Sequence, residues 1–350
     1  MAGTSPLLVY DVVADYGAST SSTDNSAAFQ NALNDAGTNG GIVFVPAGVF
    51  KFTNVLVMPA KVHLLGVGNG VGGSSPGCPS SVLEIDNSSS TTASPFITVS
   101  PPACIEGLQF FYGGQSGTNP TNYPATISEA QNSSGGLVLR NLYLPNTFRG
   151  ILLGGNLASS LTSGRNLLDT IYIGAFLNAI VVDSTEDVTR INNVHVWPNF
   201  VPGMSQYAIA NCLAIQIGRA DGIQLSNIFI LGCKTGVQIQ DSSNPNMSPK
   251  SSYGQISNLS TDGCTYGIVQ LTSYNPTGNG APGWTVTNFY CAGGGSTSSY
   301  AVNQSPGGVT GSGWPSLQVL GGAVWGPFAG IVARGNANDV FRATLWVGYD

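Results

Sequence analysis

Short strand-like runs of alternating apolar and polar residues, broken by Gly, Asn and Ser, return along this chain as one repeated phrase. An extended apolar strand is followed by a polar or Gly turn, then by a second strand that opens with Gly or Ala and a β-branched residue or Leu. The phrase reads NLYLPNTFRGILLGG from Asn141, TIYIGAFLNAIVVDS from Thr170, NIFILGCKTGVQIQD from Asn227, NLSTDGCTYGIVQLT from Asn258 and GAVWGPFAGIVARG from Gly322. Weaker copies are LAIQIGR from Leu213 and YAVNQSP from Tyr300. With Gly150, Ala179, Ala214, Gly236, Gly267, Ala301 and Gly330 taken as equivalent, successive spacings are 29, 35, 22, 31, 34 and 29 residues. Two or three short strands with their turns occupy roughly 20–25 residues, which is one coil of a parallel β-helix. A fixed Leu frame and a 3.6-residue apolar period are both missing, so leucine-rich and helical repeats fit less well. The pattern predicts an all-β parallel β-helix whose matching positions stack about 4.8 Å apart.

One segment departs from this period. Asp24 or Asn25 can cap a helix whose apolar positions Ala28, Phe29, Ala32, Leu33 and Ala36 share a face, with Gly37 as its stop. Gly40 and Gly41 then lead into the strand IVFVP. The expectation is a cap over residues 1–41, in which a short amphipathic helix covers the open apolar end of a solenoid spanning residues 42–350.

Composition narrows the function classes. Of 350 residues, eleven are Lys or Arg and seventeen are Asp or Glu, with 47 Gly and a net charge of −6. So few charges cannot clothe the wet faces of many helices. They also argue against nucleic acid, which needs a dense cationic surface, and suit an uncharged or weakly charged partner. No apolar stretch approaches a membrane span, and MAGTSPLLVYDVVADYG lacks the pattern of a secretion signal. No membrane partner is expected, and an extracellular or virion location would be reached by lysis or on a particle. Cys233 and Cys264 occupy one column of adjacent repeats, read as buried small residues with a disulfide as the alternative. The histidines stand far apart in sequence and no Cys/His metal spacing occurs, so neither a metal nor a cofactor is expected.

The order DYGA…DNSAAFQNAL…GGIVFVPAGVFKF…HLLGVG, over about residues 10–70, resembles the opening of the pectate-lyase-like superfamily. These are right-handed parallel β-helices that include polygalacturonase-type glycosidases and phage tailspikes. The resemblance implies a pectin-lyase-like solenoid acting on or binding glycans. It does not carry the pectin chemistry over. Polygalacturonase-like members place an Asn-Thr-Asp motif at the turn where this chain has Asn146-Thr147-Phe148-Arg149, and no Gly-His-Gly occurs.

Candidate acids are therefore read from position. Asp183 and Asp241 end equivalent strands two coils apart, with Gln240 matching Asp183 one residue out of register. Glu186 follows Asp183 in the same loop, and Asp262 is the acid found in the equivalent turns. Inverting glycosidases hold two carboxyl groups roughly 6.5–9.5 Å apart, about two coils of such a solenoid. Solvated turn acids are the plainer reading. For substrate binding, the segment NNVHVWPNFVPGMSQY supplies His195, Trp197 and Phe200. Tyr266 and Trp325 extend a stacking track in equivalent turn columns, and Lys234 lies in another such turn. Aromatic faces stack on the apolar faces of sugars while polar tips bind hydroxyls. Residues Gly113 to Gly136 and Ser242 to Tyr253 read as corner loops that shape a groove.

The chain's final FRATLWVGYD carries no capping segment, which implies a continuing chain or a covering partner. Tailspikes of this fold are usually homotrimers, so the resemblance implies a homotrimer here. The leading expectation is a tailspike-like receptor-binding protein that recognises a bacterial surface polysaccharide, with its cleavage as a further role. A free polysaccharide hydrolase or lyase, and a structural appendage without glycan affinity, are the alternatives.

Overall fold

The expected columns are present. The computed structural model describes residues 7–68, 80–86, 94–130, 135–154, 163–247, 252–271, 283–293, 300–304, 317–325, 331–333 and 341–348. Its strands pair in parallel throughout, each with the strand one coil earlier and one coil later. A coil has three faces. Strand Leu137–Gly154 runs across all three: residues 137–140 pair with Ala103–Glu106 on the first, Tyr143 with Gln109 on the second, and residues 149–152 with Ala125–Glu129 on the third. The register brackets Gly150 against Ala179, then Ala214, Gly236, Gly267 and Ala301 in turn. That is the column expected from the repeat, except that Gly330 lies outside the described residues.

The first and second faces meet at one backbone feature. Asn141, Thr170, Asn193, Asn227, Asn258 and Asn288 all hold a left-handed conformation, with φ between 52° and 57°, and Gly107 and Gly321 take the same turn at 69° and 75°. Asn tolerates this conformation better than other residues bearing a Cβ. The side chains then form a ladder along the axis. Asn193 Nδ2 donates to Thr170 Oγ1 at 3.1 Å, Asn258 Nδ2 to Asn227 Oδ1 at 3.0 Å, and Asn288 Nδ2 to Asn258 Oδ1 at 3.0 Å.

Helix α1 (Ser26–Asn39) lies at the N-terminal end and buries Phe29, Ala32, Leu33 and Ala36, while Ala28 packs half-buried against the core. Phe29 sits edge-on to Phe50 and Phe52 at 5.6 and 4.8 Å between ring centroids, and the contacts continue through Phe96 to Phe110. Such geometry suits the ring quadrupoles. Asn25 makes no capping bond with its side chain. Asp24 does the work instead, its Oδ1 accepting from the Ser26 and Thr53 backbone amides and its Oδ2 from Asn54. Burial would raise its carboxyl, but these bonds outweigh burial and hold it down at about 2.

Several expectations are corrected. Gly37 does not stop α1, which continues to Asn39 before Gly40 turns at φ 76°. Gly37 is needed for contact: a Cβ there would stand 2.5 Å from Pro59 Cβ. Within Gly113 to Gly136 lies strand Ala125–Glu129, an ordinary member of the third face whose buried residues include the polar Thr126 and Ser128, which weakens its apolar signal. The segment after His195 contains helix α2 (Met204–Asn211), closed over the core by Met204 and Ala208. Strand Val9–Asp11 pairs with Gly41–Val45, joining the N-terminal segment to the first face. No described helix is long and apolar enough to cross a membrane.

Replacing Asn258 with Ala keeps the corner but loses the ladder bonds and the residue suited to its backbone, a cost of about 1–2 kcal/mol. Asn258→Gly, which adopts the turn freely, is expected to cost less. Urea midpoints compare the two, and equal losses would deny that the backbone conformation matters.

Candidate functional site

On the second face the residue two places after each corner points outward, and parallel register stacks these residues in one line. The line runs Gln109, Tyr143, Tyr172, His195, Phe229, Ser260, Tyr290 and Ala323. Five of the six residues from Tyr143 to Tyr290 carry rings. Tyr172 and His195 lie 5.4 Å apart between centroids, and His195 and Phe229 lie 4.9 Å apart in an edge contact. Trp197 stacks near-parallel to His195 at 6.1 Å and 7°. Phe200 then bridges Trp197 and Tyr143 at 5.6 and 5.3 Å.

This brings together His195, Trp197 and Phe200, three of the six expected binding residues. Gly174 permits it, since a Cβ there would meet the Pro145 carbonyl at 2.3 Å and Phe200 Cδ2 at 2.8 Å. Trp197, beside His195 at the middle of the line, remains 39% exposed and Tyr290, at its C-terminal end, 41%, while Tyr143 at the other end is buried. His195 Nε2 is shielded from solvent and makes no hydrogen bond, and burial lowers the imidazole's pKa. Burial pushes the Tyr143 phenol up to about 12. Burial thus disfavours the charged form of both groups.

The remaining binding candidates disperse. Trp325 lies on the second face, in the column that holds Ala292, Asp262 and Leu231, one place beyond the last registered pair of Trp197's strand. Tyr266 does not share that column: it opens strand Tyr266–Leu271 on the third face, beside Thr235. The repeat was misaligned by four residues there, because the turn between the two faces is not counted in the strands. Lys234 is exposed at that turn.

Of the four acids, Asp262 lies apart on the second face, while the Ser242–Ser243 loop that follows Asp241 folds back onto Asp183. Asp262 faces outward on the second face, between Leu231 and Ala292. Asp183 ends a third-face strand beside Gly154, Asp241 follows the third-face strand Thr235–Gln240, and Glu186 is exposed in a two-residue strand paired with Ser163–Gly164. Asp183 is 4% exposed and accepts five hydrogen bonds. Its Oδ1 takes the Ser184 amide at 2.7 Å, the Arg219 amide at 2.9 Å and the Ser242 hydroxyl at 2.6 Å. Its Oδ2 takes the Ser243 amide and hydroxyl, both at 2.8 Å. A carboxylate so occupied ties three coils together. At the Asn146-Thr147-Phe148-Arg149 turn, Asn146 is spent on the Tyr112 backbone, donating to its carbonyl at 2.8 Å and accepting from its amide at 3.0 Å.

Cys233 and Cys264 are buried free thiols, flanked by Cys212 and Cys291. A hydrogen bond with Cys212, together with burial, raises the Cys233 thiol far above the ordinary range. Cys78 lies outside the described residues.

The sequence reading missed Tyr143, Tyr172, Phe229 and Tyr290. Their signal was present as the second residue after each repeated Asn or Thr.

Residues 11–113 match the family model described as rhamnogalacturonase A/epimerase, pectate lyase-like. Together with the solenoid itself, this shows the likeness expected from the opening segment. No curated protein sequence matches the chain. Among solved structures, the Dettilon tailspike protein gp208 shares 10% identity at a TM-score of 0.61, over 97% of this chain and 68% of that one. The pre-mature bacteriophage phi29 gene product 12 shares 14% at 0.59, over 90% of this chain and 45% of that one, so the chain spans under half that protein's length. The catalytic domain of a GH87 α-1,3-glucanase, solved with tetrasaccharides, shares 13% at 0.52, over 98% and 69%. At these identities the likeness is one of fold.

Two outcomes follow from the geometry. Asp183→Ala orphans three backbone amides and is expected to cost about 3 kcal/mol or more, read as a lowered melting temperature. Retained stability would return Asp183 to the catalytic candidates. Because His195's folded pKa lies below its ordinary 6.5, the unfolded chain binds the proton more readily. Its contribution to stability is full above pH 6.5 and is lost as pH falls toward the folded value. Melting temperatures from pH 7 to pH 5 should therefore fall less steeply in His195→Gln than in the parent.

Proposed function

We propose that this protein binds a polysaccharide along the second face, and that it is a tailspike-like receptor-binding protein whose target is a bacterial surface glycan. The observation that carries this reading is the outward line of rings from Tyr143 to Tyr290, widened by Trp197 and Phe200. Sugars present apolar C–H faces that stack on such rings, and a line spaced by the strand repeat suits a linear polymer lying parallel to the axis. Asp262, Ser260 and the exposed edge of Trp197 supply polar and stacking groups beside it. The fold shared with a phage tailspike and with a glucanase solved with tetrasaccharides supports the same reading. An extracellular or virion location and a homotrimer go with it.

Binding, rather than cleavage, is the role the acids favour. Hydrolysis needs a second carboxyl within reach of the first, and Asp262 shares the track with none of Asp183, Glu186 or Asp241.

The test is a panel of bacterial capsules and O-antigens. Binding to at least one is expected, weakened about tenfold by Trp197→Ala and about tenfold by Phe229→Ala, each equivalent to about 1.4 kcal/mol. A blank panel with intact, folded protein would leave the structural-appendage reading. Oligosaccharide release that disappears in Asp262→Asn would make the protein an enzyme instead. Light scattering checks the trimer.

A further inference from the structure

The first face carries a different cluster near its N-terminal end. His63 and Cys104 are register partners on adjacent strands, and Glu106 lies two residues beyond Cys104. Strand alternation turns all three outward, while Leu64 and Ile105 between them are fully buried. One nitrogen, one sulfur and one carboxylate oxygen thereby come within 4.8 Å of one another. His63 Nε2 stands 3.5 Å from Glu106 Oε2, yet it is shielded from solvent and makes no hydrogen bond. Among the described residues, His63 is the one basic side chain within ion-pair range of Glu106. Arg140, the register partner of Glu106 on the next coil, forms no such pair.

From this geometry we infer a binding site for a divalent zinc-like metal ion, held by His63 Nε2, Cys104 Sγ and Glu106. Zinc bonds of about 2.0–2.3 Å place neighbouring ligands of a tetrahedron about 3.3–3.8 Å apart, and the His63 to Glu106 separation already falls in that range. Imidazole, thiolate and carboxylate together select a borderline metal over calcium or magnesium, which take oxygen ligands. All three side chains are half-buried, so the fourth position opens outward to water or a ligand, as in three-ligand zinc sites. The spacing of the sequence hides this site. Residues 63 and 104 are joined by solenoid register, not by a short motif.

The test uses the whole chain, stripped with a chelator and titrated with Co²⁺ and then Zn²⁺. One ion per chain is expected, with a sulfur-to-cobalt charge-transfer absorption that disappears in Cys104→Ser and returns with the parent residue. Glu106→Gln should weaken affinity at least tenfold, and Arg140→Gln should strengthen it by removing a nearby positive charge. Circular dichroism confirms that each variant is folded, and Glu106→Gln, a surface change of similar shape, guards against a misfolded Cys104→Ser. No saturable binding by the parent, a band that survives Cys104→Ser, or an affinity unchanged in Glu106→Gln would each overturn the site. The nearby reading of a plain His63–Glu106 ion pair would then stand.

Discussion

Parallel pairing at a fixed corner is the constraint on which the rest of this molecule depends. Strands in a parallel ladder keep their register through backbone hydrogen bonds, and side chains alternate in and out with a period of two. A slip of one residue on any coil would therefore turn its apolar set to water. The left-handed corner occupied by Asn141, Thr170, Asn193, Asn227, Asn258 and Asn288 marks the same point on each coil. The amide ladder between several of them rewards that alignment a second time. Once the corner is set, whatever follows it at a given offset becomes a line on the surface. The aromatic track is the clearest product, because its members share no motif except their distance from the corner.

The same constraint explains where this chain places its few acids. Coils of unequal length must be joined by loops of unequal length, and loop amides inside a stack need acceptors. Asp183 supplies them for the turns at Arg219 and Ser243. Glu129, 2% exposed, does likewise, accepting from the Gly154 amide at 2.9 Å, the Ser163 hydroxyl at 2.6 Å and Asn166 at 3.2 Å. A buried carboxylate surrounded by donors holds several chain segments at once. Asp183, which looks by sequence spacing like half of a catalytic pair, is thus drawn inward by loop anchoring and is not left facing a substrate.

Much of this architecture was legible before any coordinates. The equivalence of Gly150, Ala179, Ala214, Gly236, Gly267 and Ala301 needed only a small residue before a β-branched one, because large side chains cannot sit where one coil's backbone passes close to the next. The cap helix was legible from Phe29, Ala32, Leu33 and Ala36. Positions after the inter-face turn were harder, since Tyr266 and Trp325 fall in repeated phrases but on different faces. Strand Ala125–Glu129 hid because its inward residues include hydroxyls, bonded as Tyr112 to Thr126 at 3.1 Å. The three-donor cluster on the first face was invisible to motif spacing. A solenoid brings residues about one coil apart into contact, and coil lengths vary.

The two outward features sit on different faces and differ in kind. Stacking on Tyr172, Phe229 or Trp197 is short-ranged and draws little on charge, so the track suits a neutral or weakly charged polymer better than a strongly anionic one. The chain's net charge of −6 points the same way, because like-signed potential lowers the encounter rate of an acidic glycan and does so most at low salt. Burial disfavours the charged form of His195 within the rings, which works against a compensating positive charge there. On the proposed glycan platform, selectivity then comes from which sugar faces lie flat on successive rings and from the hydroxyl partners around Ser260 and Asp262. A neutral repeat whose apolar faces recur at the strand spacing satisfies both demands, and a polymer that turns those faces away from the rings satisfies neither.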